Sequence, residues 1–128
     1  MGEPIKKHYT VAEARQMLPR LRVLLNQLQA AVAITRSNEQ EIDPLLSAGA
    51  DVGGRQVDSL LRSLADAQEI LRYFLEAEIQ IKDLERGLID FPAVLDGREV
   101  YLCWEKSEND LCFFHDTDEG FEGRQPLV

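Results

Sequence analysis

The feature that most constrains this chain is a change of hydrophobic period at Glu78. Before it, apolar residues recur at alternating intervals of three and four, the stripe of a helix packed against other helices. After it, apolar and polar residues alternate in short runs, as in half-buried strands. A chain that switches period once, helices first and strands second, reads as an α+β fold. Its 128 residues suit a single domain over 1–128, and a chain of that size can bury a core without disulfides or a structural metal.

The first helix is expected over 10–41. Thr10 followed by Glu13 forms a capping box, each side chain accepting a backbone N–H at the other's position. Tyr9, just ahead of the cap, is placed to pack back on the first turn. Ala14, Leu18, Leu21, Leu25, Leu28 and Val32 form the stripe, widened by Met17, Leu24 and Ala31. Pro19 interrupts it, and proline inside a helix costs about 3 kcal/mol. The helix is therefore kinked or split there; the unbroken heptad phase across Pro19 favours a kink. It is expected to fade between Arg36 and Glu41, ahead of Pro44.

Residues 42–54 read as a connection. Gly53-Gly54 is followed by Arg55-Gln56, not by the Lys and Ser or Thr of a phosphate-binding loop. The second helix is expected over 55–78, with Val57, Leu60, Leu64, Ala67, Leu71 and Phe74 as its seam and Leu61 and Ile70 on the flanks. Asp58, Arg62, Asp66, Glu69, Arg72 and Glu76 form opposite-charge pairs three or four apart on a solvated face. Two helices of similar length joined by a modest connection predict an antiparallel hairpin.

The tail, 79–128, predicts a small antiparallel sheet of three or four strands against one side of that hairpin. Residues 79–82, 99–104 and 111–115 are strand runs rich in β-branched and aromatic residues. Leu88 to Phe91 is a further candidate, stopped by Pro92. Asp96-Gly97 marks a tight turn, and 105–110 a polar one. Val100, Leu102 and Trp104 point to one face and Tyr101 and Cys103 to the other, so both faces are apolar. A sheet with one wet side alternates more cleanly. A second layer must cover the far face, either the carboxy-terminal tail or another subunit. Together with the wide helical stripes, this predicts a homodimer.

Charge narrows the function classes. The formal charge is −9, and residues 79–128 hold 12 acidic against 5 basic side chains. That argues against a nucleic-acid or anionic-membrane surface, both of which need clustered Lys and Arg. The longest apolar run, Ala30 to Ile34, is far short of the ~20 residues a membrane-spanning helix needs. The amino terminus has no apolar stretch that reads as a secretory signal. Cytoplasmic residence follows as an expectation.

The runs Lys82-Asp83, Glu85-Arg86-Gly87, Asp90-Phe91-Pro92, Gly97-Arg98-Glu99-Val100 and Cys103-Trp104 are specific, as are His115 and Gly120-Phe121-x-Gly123-Arg124-x-Pro126. With the opening YTVAEARQMLP, the chain resembles the prokaryotic domain-of-unknown-function family numbered 2203, from Tyr9 to Leu127. One departure is Phe114, where the family is expected to carry Trp. The resemblance implies no activity, so no functional residues carry over from it.

The residues themselves leave two readings. The first is a cytoplasmic homodimeric interaction or small-ligand-binding module without enzymatic activity or cofactor. Its partner or ligand surface would draw on Arg86, Arg98, Trp104, His115 and Arg124, with Tyr101 and Phe113 beside Trp104 as a stacking wall. The three arginines equally suit pinning loops by neutralising Asp83, Asp90 or Asp118. The alternative is a small metal-binding protein or metal-dependent enzyme with a divalent-cation site at the β-rich end. Its candidate ligands are Asp83, Asp90, His115, Asp116 and Asp118, with Glu85 nearby. An oxygen-rich set with one imidazole suits Mg²⁺, Mn²⁺ or Fe²⁺. His115 is open to a structural role or a catalytic base. Cys103 and Cys112 read as small buried hydrophobes in a reducing compartment. No nucleophile elbow, Ser-His-Asp order or dinucleotide fingerprint is present.

Overall fold

The computed structural model describes residues 7–47, 49 and 54–127. Its elements are α1 (Val11–Ser47), α2 (Gly54–Ala77), β1 (Gln80–Asp83), β2 (Leu88–Leu95), β3 (Arg98–Glu105), β4 (Phe113–Asp116) and β5 (Gln125–Pro126), with a 3₁₀ turn at Phe121–Gly123. The fold is α+β, a helical hairpin followed by an antiparallel sheet, with five strands where three or four are expected. The chain divides into two compact units, Leu24–Arg72, and Met1–Val23 with Tyr73–Val128. No helix among the described residues is long and apolar enough to cross a membrane.

The capping box forms as expected. Thr10 N–H donates to Glu13 Oε1 at 2.9 Å and Glu13 N–H to Thr10 Oγ1 at 3.1 Å. Those bonds hold the Glu13 carboxyl below its ordinary value, the Thr10 backbone bond contributing most. α1 is one helix through Pro19, not two. Pro19 and Arg15 both lie on the exposed side, so the carbonyl left unbonded by the missing N–H falls on the wet side of the helix. α1 also runs past 41, through Pro44 to Ser47. Ile42, 6% exposed, is buried there, and this packing outweighs the weak propensity of the last turns. Of the expected 42–54 connection, residues 48 and 50–53 lie outside the described residues.

In the Leu24–Arg72 unit, the parts of α1 and α2 run antiparallel. Thr35 Oγ1 donates to Ser63 Oγ at 3.0 Å and Asn38 Nδ2 to Ser59 Oγ at 3.1 Å. Leu24, Leu25, Leu28, Ala31, Ile42, Ser63 and Ile70 are buried. The seam of α2 differs from the one expected. Val57, Leu64 and Leu71 are exposed, while the buried or half-buried line is Leu60, Ser63, Ala67, Ile70. Ser63 sits inside it because its hydroxyl is satisfied twice, donating to the Leu60 carbonyl at 2.9 Å and accepting from Thr35.

In the other unit the strands pair in sequence order, all antiparallel. β2 and β3 are joined by a two-residue turn at Asp96 (φ 52°) and Gly97 (φ 75°), and two positive φ values in succession make it the hairpin turn that matches strand twist. β2 does not stop at Pro92 but continues to Leu95. β1 pairs only as far as Gln80 with Asp90, so beyond it that edge of β2 has no strand partner among the described residues. The Pro92 carbonyl accepts the Tyr9 N–H there at 2.8 Å; since a strand residue points its N and O to the same side, the missing N–H costs the β2–β3 ladder nothing. β5 carries a proline and only two residues, too short for any alternation to reveal.

One face of this sheet carries Ile89, Phe91, Ala93, Val100, Leu102 and Trp104, all buried. The Tyr9 ring meets Phe91 edge-on at 5.7 Å rather than packing on the first turn of α1, and its hydroxyl donates to the Ala77 carbonyl at 2.6 Å. This burial is the main cause of the raised Tyr9 pKa. Arg22 lies 5.0 Å from the Trp104 ring and donates to the carbonyls of Lys106 and Glu108. Arg15 donates to the Leu111 carbonyl at 2.9 Å. The opposite face carries Leu88, Asp90, Pro92, Tyr101, Cys103, Phe113 and His115.

Candidate functional site

That second face holds the chemistry. Asp90, in the middle of β2, pairs across the ladder with Cys103 of β3. His115 of β4 pairs with Tyr101. Period-two geometry therefore turns Asp90, Cys103 and His115 to one side. One ligand atom from each lies within 4.8 Å of the other two, and all three residues are buried. Asp90 and His115 are each 2% exposed and Cys103 1%.

His115 Nδ1 stands 2.8 Å from the Asp116 carbonyl oxygen and Nε2 stands 2.9 Å from Asp90 Oδ2. A carbonyl has no proton to give, so Nδ1 carries the hydrogen and donates it. The contact between Nε2 and Oδ2 then holds one proton, whichever atom carries it. Asp90 Oδ1 is buried and makes no hydrogen bond among the described residues. The Cys103 thiol is pushed up to about 12, first by burial and then by the Asp90 carboxylate beside it.

The covering layer comes from the carboxy-terminal tail. Arg124 lies 3.9 Å from the Phe113 ring and 4.5 Å from the Phe121 ring, and its guanidinium donates to Glu108 Oε2 at 2.6 Å. Arg86 also lies 4.2 Å from the Phe121 ring and donates to Glu105 Oε1 at 2.7 Å. That bond is the largest reason the Arg86 guanidinium holds its proton more tightly than usual. Lys82 lies 5.9 Å from the Tyr101 ring, and Gln80 Nε2 donates to the Tyr101 hydroxyl at 3.1 Å.

The expected residues thus separate into groups. Asp90 and His115 come together, joined by Cys103, which the sequence assigns to the core. Asp116, Asp118 and Glu119 form a second, more exposed group in the turn after β4. Asp83 belongs to neither: its Oδ1 accepts the Arg86 N–H at 3.2 Å and shapes the turn before β2. Arg86, Arg98 and Arg124 pair with Glu105, Asp116 and Glu108 rather than with Asp83, Asp90 or Asp118. Trp104 is fully buried on the opposite face from Tyr101 and Phe113, with Nε1 donating to the Glu108 carbonyl at 3.0 Å. The three aromatics therefore make no common stacking wall. Cys103 and Cys112 are both free, the first buried and the second exposed, so the expectation of two buried thiols holds for one. The cross-strand spacing of Asp90, Cys103 and His115 is the signal that would have found the cluster, but it needs the strand register.

The unit also has an open cleft of about 790 Å³, lined by Val11, Ala12, Arg15, Leu95, Asp96, Arg98, Phe114, Pro126 and Leu127. Its walls are largely apolar. Arg98, with 63% of its side chain exposed, is ion-paired with Asp116 Oδ1 at 3.1 Å.

Compared with known proteins, the chain matches the family model described as an uncharacterized conserved protein, DUF2203, over residues 7–127. No curated protein and no solved structure matches it.

Proposed function

We propose that this chain, which belongs to the uncharacterised DUF2203 family, is a cytoplasmic homodimeric interaction module without enzymatic activity, assembled through α2 of two copies. The observation that supports this reading is the row Val57, Leu61, Leu64, Leu71 on α2, 38%, 57%, 39% and 48% exposed. Leu75, in the next turn, is 78% exposed. Val57, Leu61, Leu64, Gln68, Leu71 and Leu75 are spaced alternately four and three, the seam of a two-helix coil. α2 already buries a different line within the hairpin, so this seam is a second one. Contiguous apolar rows of this kind mark interaction surfaces, and burying each leucine contributes about 1.5–3 kcal/mol.

The row is self-complementary when a second α2 runs antiparallel to it. Setting Leu61 against the partner's Leu71 brings Leu64 against the partner's Gln68. Asp58 then lies within a turn of the partner's Arg72, a pairing of opposite charges at the flank of the seam. Gln68 is the one polar residue in the row, the device that fixes register in such coils. The free thiols are consistent with the reducing compartment proposed.

Charge exchange tests the register. Asp58→Arg sets two arginines at each flank and weakens the dimer. Asp58→Arg with Arg72→Asp restores opposite charges and recovers it. If the single and double variants associate equally, the antiparallel pairing is wrong.

A second reading, small-ligand binding, is favoured by the cleft, whose apolar walls and exposed Arg98 suit an amphipathic carboxylate. Chemical-shift changes around Phe114 on adding benzoate-type probes, lost in Arg98→Ala, are the expected result; no shift in either chain rejects it.

A further inference from the structure

We infer that Asp90, Cys103 and His115 form a binding site for a divalent cation of the zinc class. Imidazole, carboxylate and thiolate together are a zinc donor set, and the thiolate turns the site away from the Mg²⁺ or Mn²⁺ that an all-oxygen set would take. Two observations point to a ligand there, and the charge balance is compatible with one.

The first is the histidine tautomer. Nδ1–H donates to the Asp116 carbonyl at 2.8 Å, the outer-shell bond that orients a metal-binding imidazole and leaves the Nε2 lone pair free. That lone pair points at a carboxylate oxygen 2.9 Å away. Two lone pairs so placed need one cation between them, a proton or a metal ion. The second is Asp90 Oδ1, buried and without a hydrogen bond among the described residues, an arrangement that is costly for a carboxylate and rare in folded chains. A metal would use it: Asp90, Cys103 and His115 supply three protein donors and leave the fourth position of a tetrahedral site to an exogenous ligand, with Oδ1 or Oδ2 of Asp90 as the bonded oxygen. The charge is compatible with this. A divalent ion with one thiolate, one carboxylate and one neutral imidazole sums to zero, which suits a site this dry.

The distances allow it. Zinc bonds of about 2.0–2.3 Å place neighbouring donors roughly 3.3–3.8 Å apart in a tetrahedron. The Asp90–His115 contact would widen by less than an ångström, and the remaining donors already lie within 4.8 Å. The protons balance as well: the ion displaces one from the Cys103 thiol and the one shared by Asp90 and His115, so two are released per ion bound.

Cobalt(II) is the probe, because its bond to a thiolate gives a charge-transfer band that carboxylates alone do not. The full chain is refolded with Co²⁺, and in parallel with Zn²⁺ for metal analysis. One equivalent of metal is expected, with the thiolate band present in the wild type. The band is abolished in Cys103→Ser, with its circular dichroism unchanged, and retained in Asp118→Asn. His115→Gln is expected to weaken Co²⁺ binding at least tenfold. Binding without the thiolate band, and lost in Asp118→Asn, would place the ion on the exposed Asp116–Glu119 turn and overturn the assignment. No binding to the folded wild type would leave the pair holding a proton, and overturns it too.

Discussion

Asp90 Oδ2 and His115 Nε2 meet at 2.9 Å with each residue only 2% exposed. They are 25 residues apart in sequence and come from strands that are not neighbours: β3 lies between them. The pair ties the sheet together across three strands on the face covered by the tail. Breaking a buried, hydrogen-bonded pair by removing one partner typically costs about 3–5 kcal/mol, because the other is left unpaired. His115→Ala and Asp90→Ala are each expected to lower unfolding stability by about that amount. The double variant should lose far less than the sum of the two, and denaturant unfolding of the four chains gives the coupling. Additive losses would mean that the two side chains do not act as a pair.

Cys103 and Cys112 should behave as different chemical species in the metal-free chain. The thiolate is the reactive form, and burial pushes the Cys103 thiol up to about 12, whereas Cys112 is exposed. A thiol reagent at pH 8 should modify Cys112 promptly and Cys103 only after denaturant is added. The sign for stability follows from linkage. A folded-state value above the ordinary 9.0 means the native chain holds this proton more tightly than the unfolded one. The stability this represents is intact below about pH 9 and is lost as pH rises toward about 12. Two thiols modified at equal rates in the folded chain would contradict it.

The cap at the start of α1 should show the opposite pH dependence. Thr10→Ala removes one side of the capping box and is expected to cost about 1 kcal/mol. Glu13 is held below its ordinary 4.5 by Thr10, so its contribution is present above that pH and is lost as pH falls through the depressed value. The stability gap between wild type and Thr10→Ala should therefore narrow in acid. A gap that is constant from neutral pH down to pH 3 would show that the two residues do not cooperate.

The helix starts, the change of period at Glu78 and the two faces of β3 were legible in the sequence because each rests on local pattern: the Thr10–Glu13 spacing, the heptads, the alternation from Val100 to Trp104. What depended on register was not legible. Pro92 reads as a stop, and it is tolerated because its nitrogen faces the edge of β2 away from β3, where only its carbonyl is bonded, to the Tyr9 N–H. The candidate site divides the same way. Asp90 and His115 were legible as members of an oxygen-rich candidate ligand set, while Cys103 passed as a core residue, since nothing within its own strand reveals that it faces Asp90. Ser63 and Leu61 show the limit for helices. Apolar content alone assigned Leu64 and Leu71 to the inner seam, and a buried serine moved that seam one position round the helix. The displaced leucines then became the exposed row on which the proposed assembly rests.

That row gives the most direct test of the central claim. Sedimentation equilibrium of the full chain at micromolar concentration should give twice the 14.5 kDa chain mass. Leu61→Asp, which sets a charge in the middle of the seam at an already exposed position, should give the single-chain mass with its helix content unchanged. A wild type that sediments as one chain, or a Leu61→Asp variant that remains a dimer, would contradict assembly through α2.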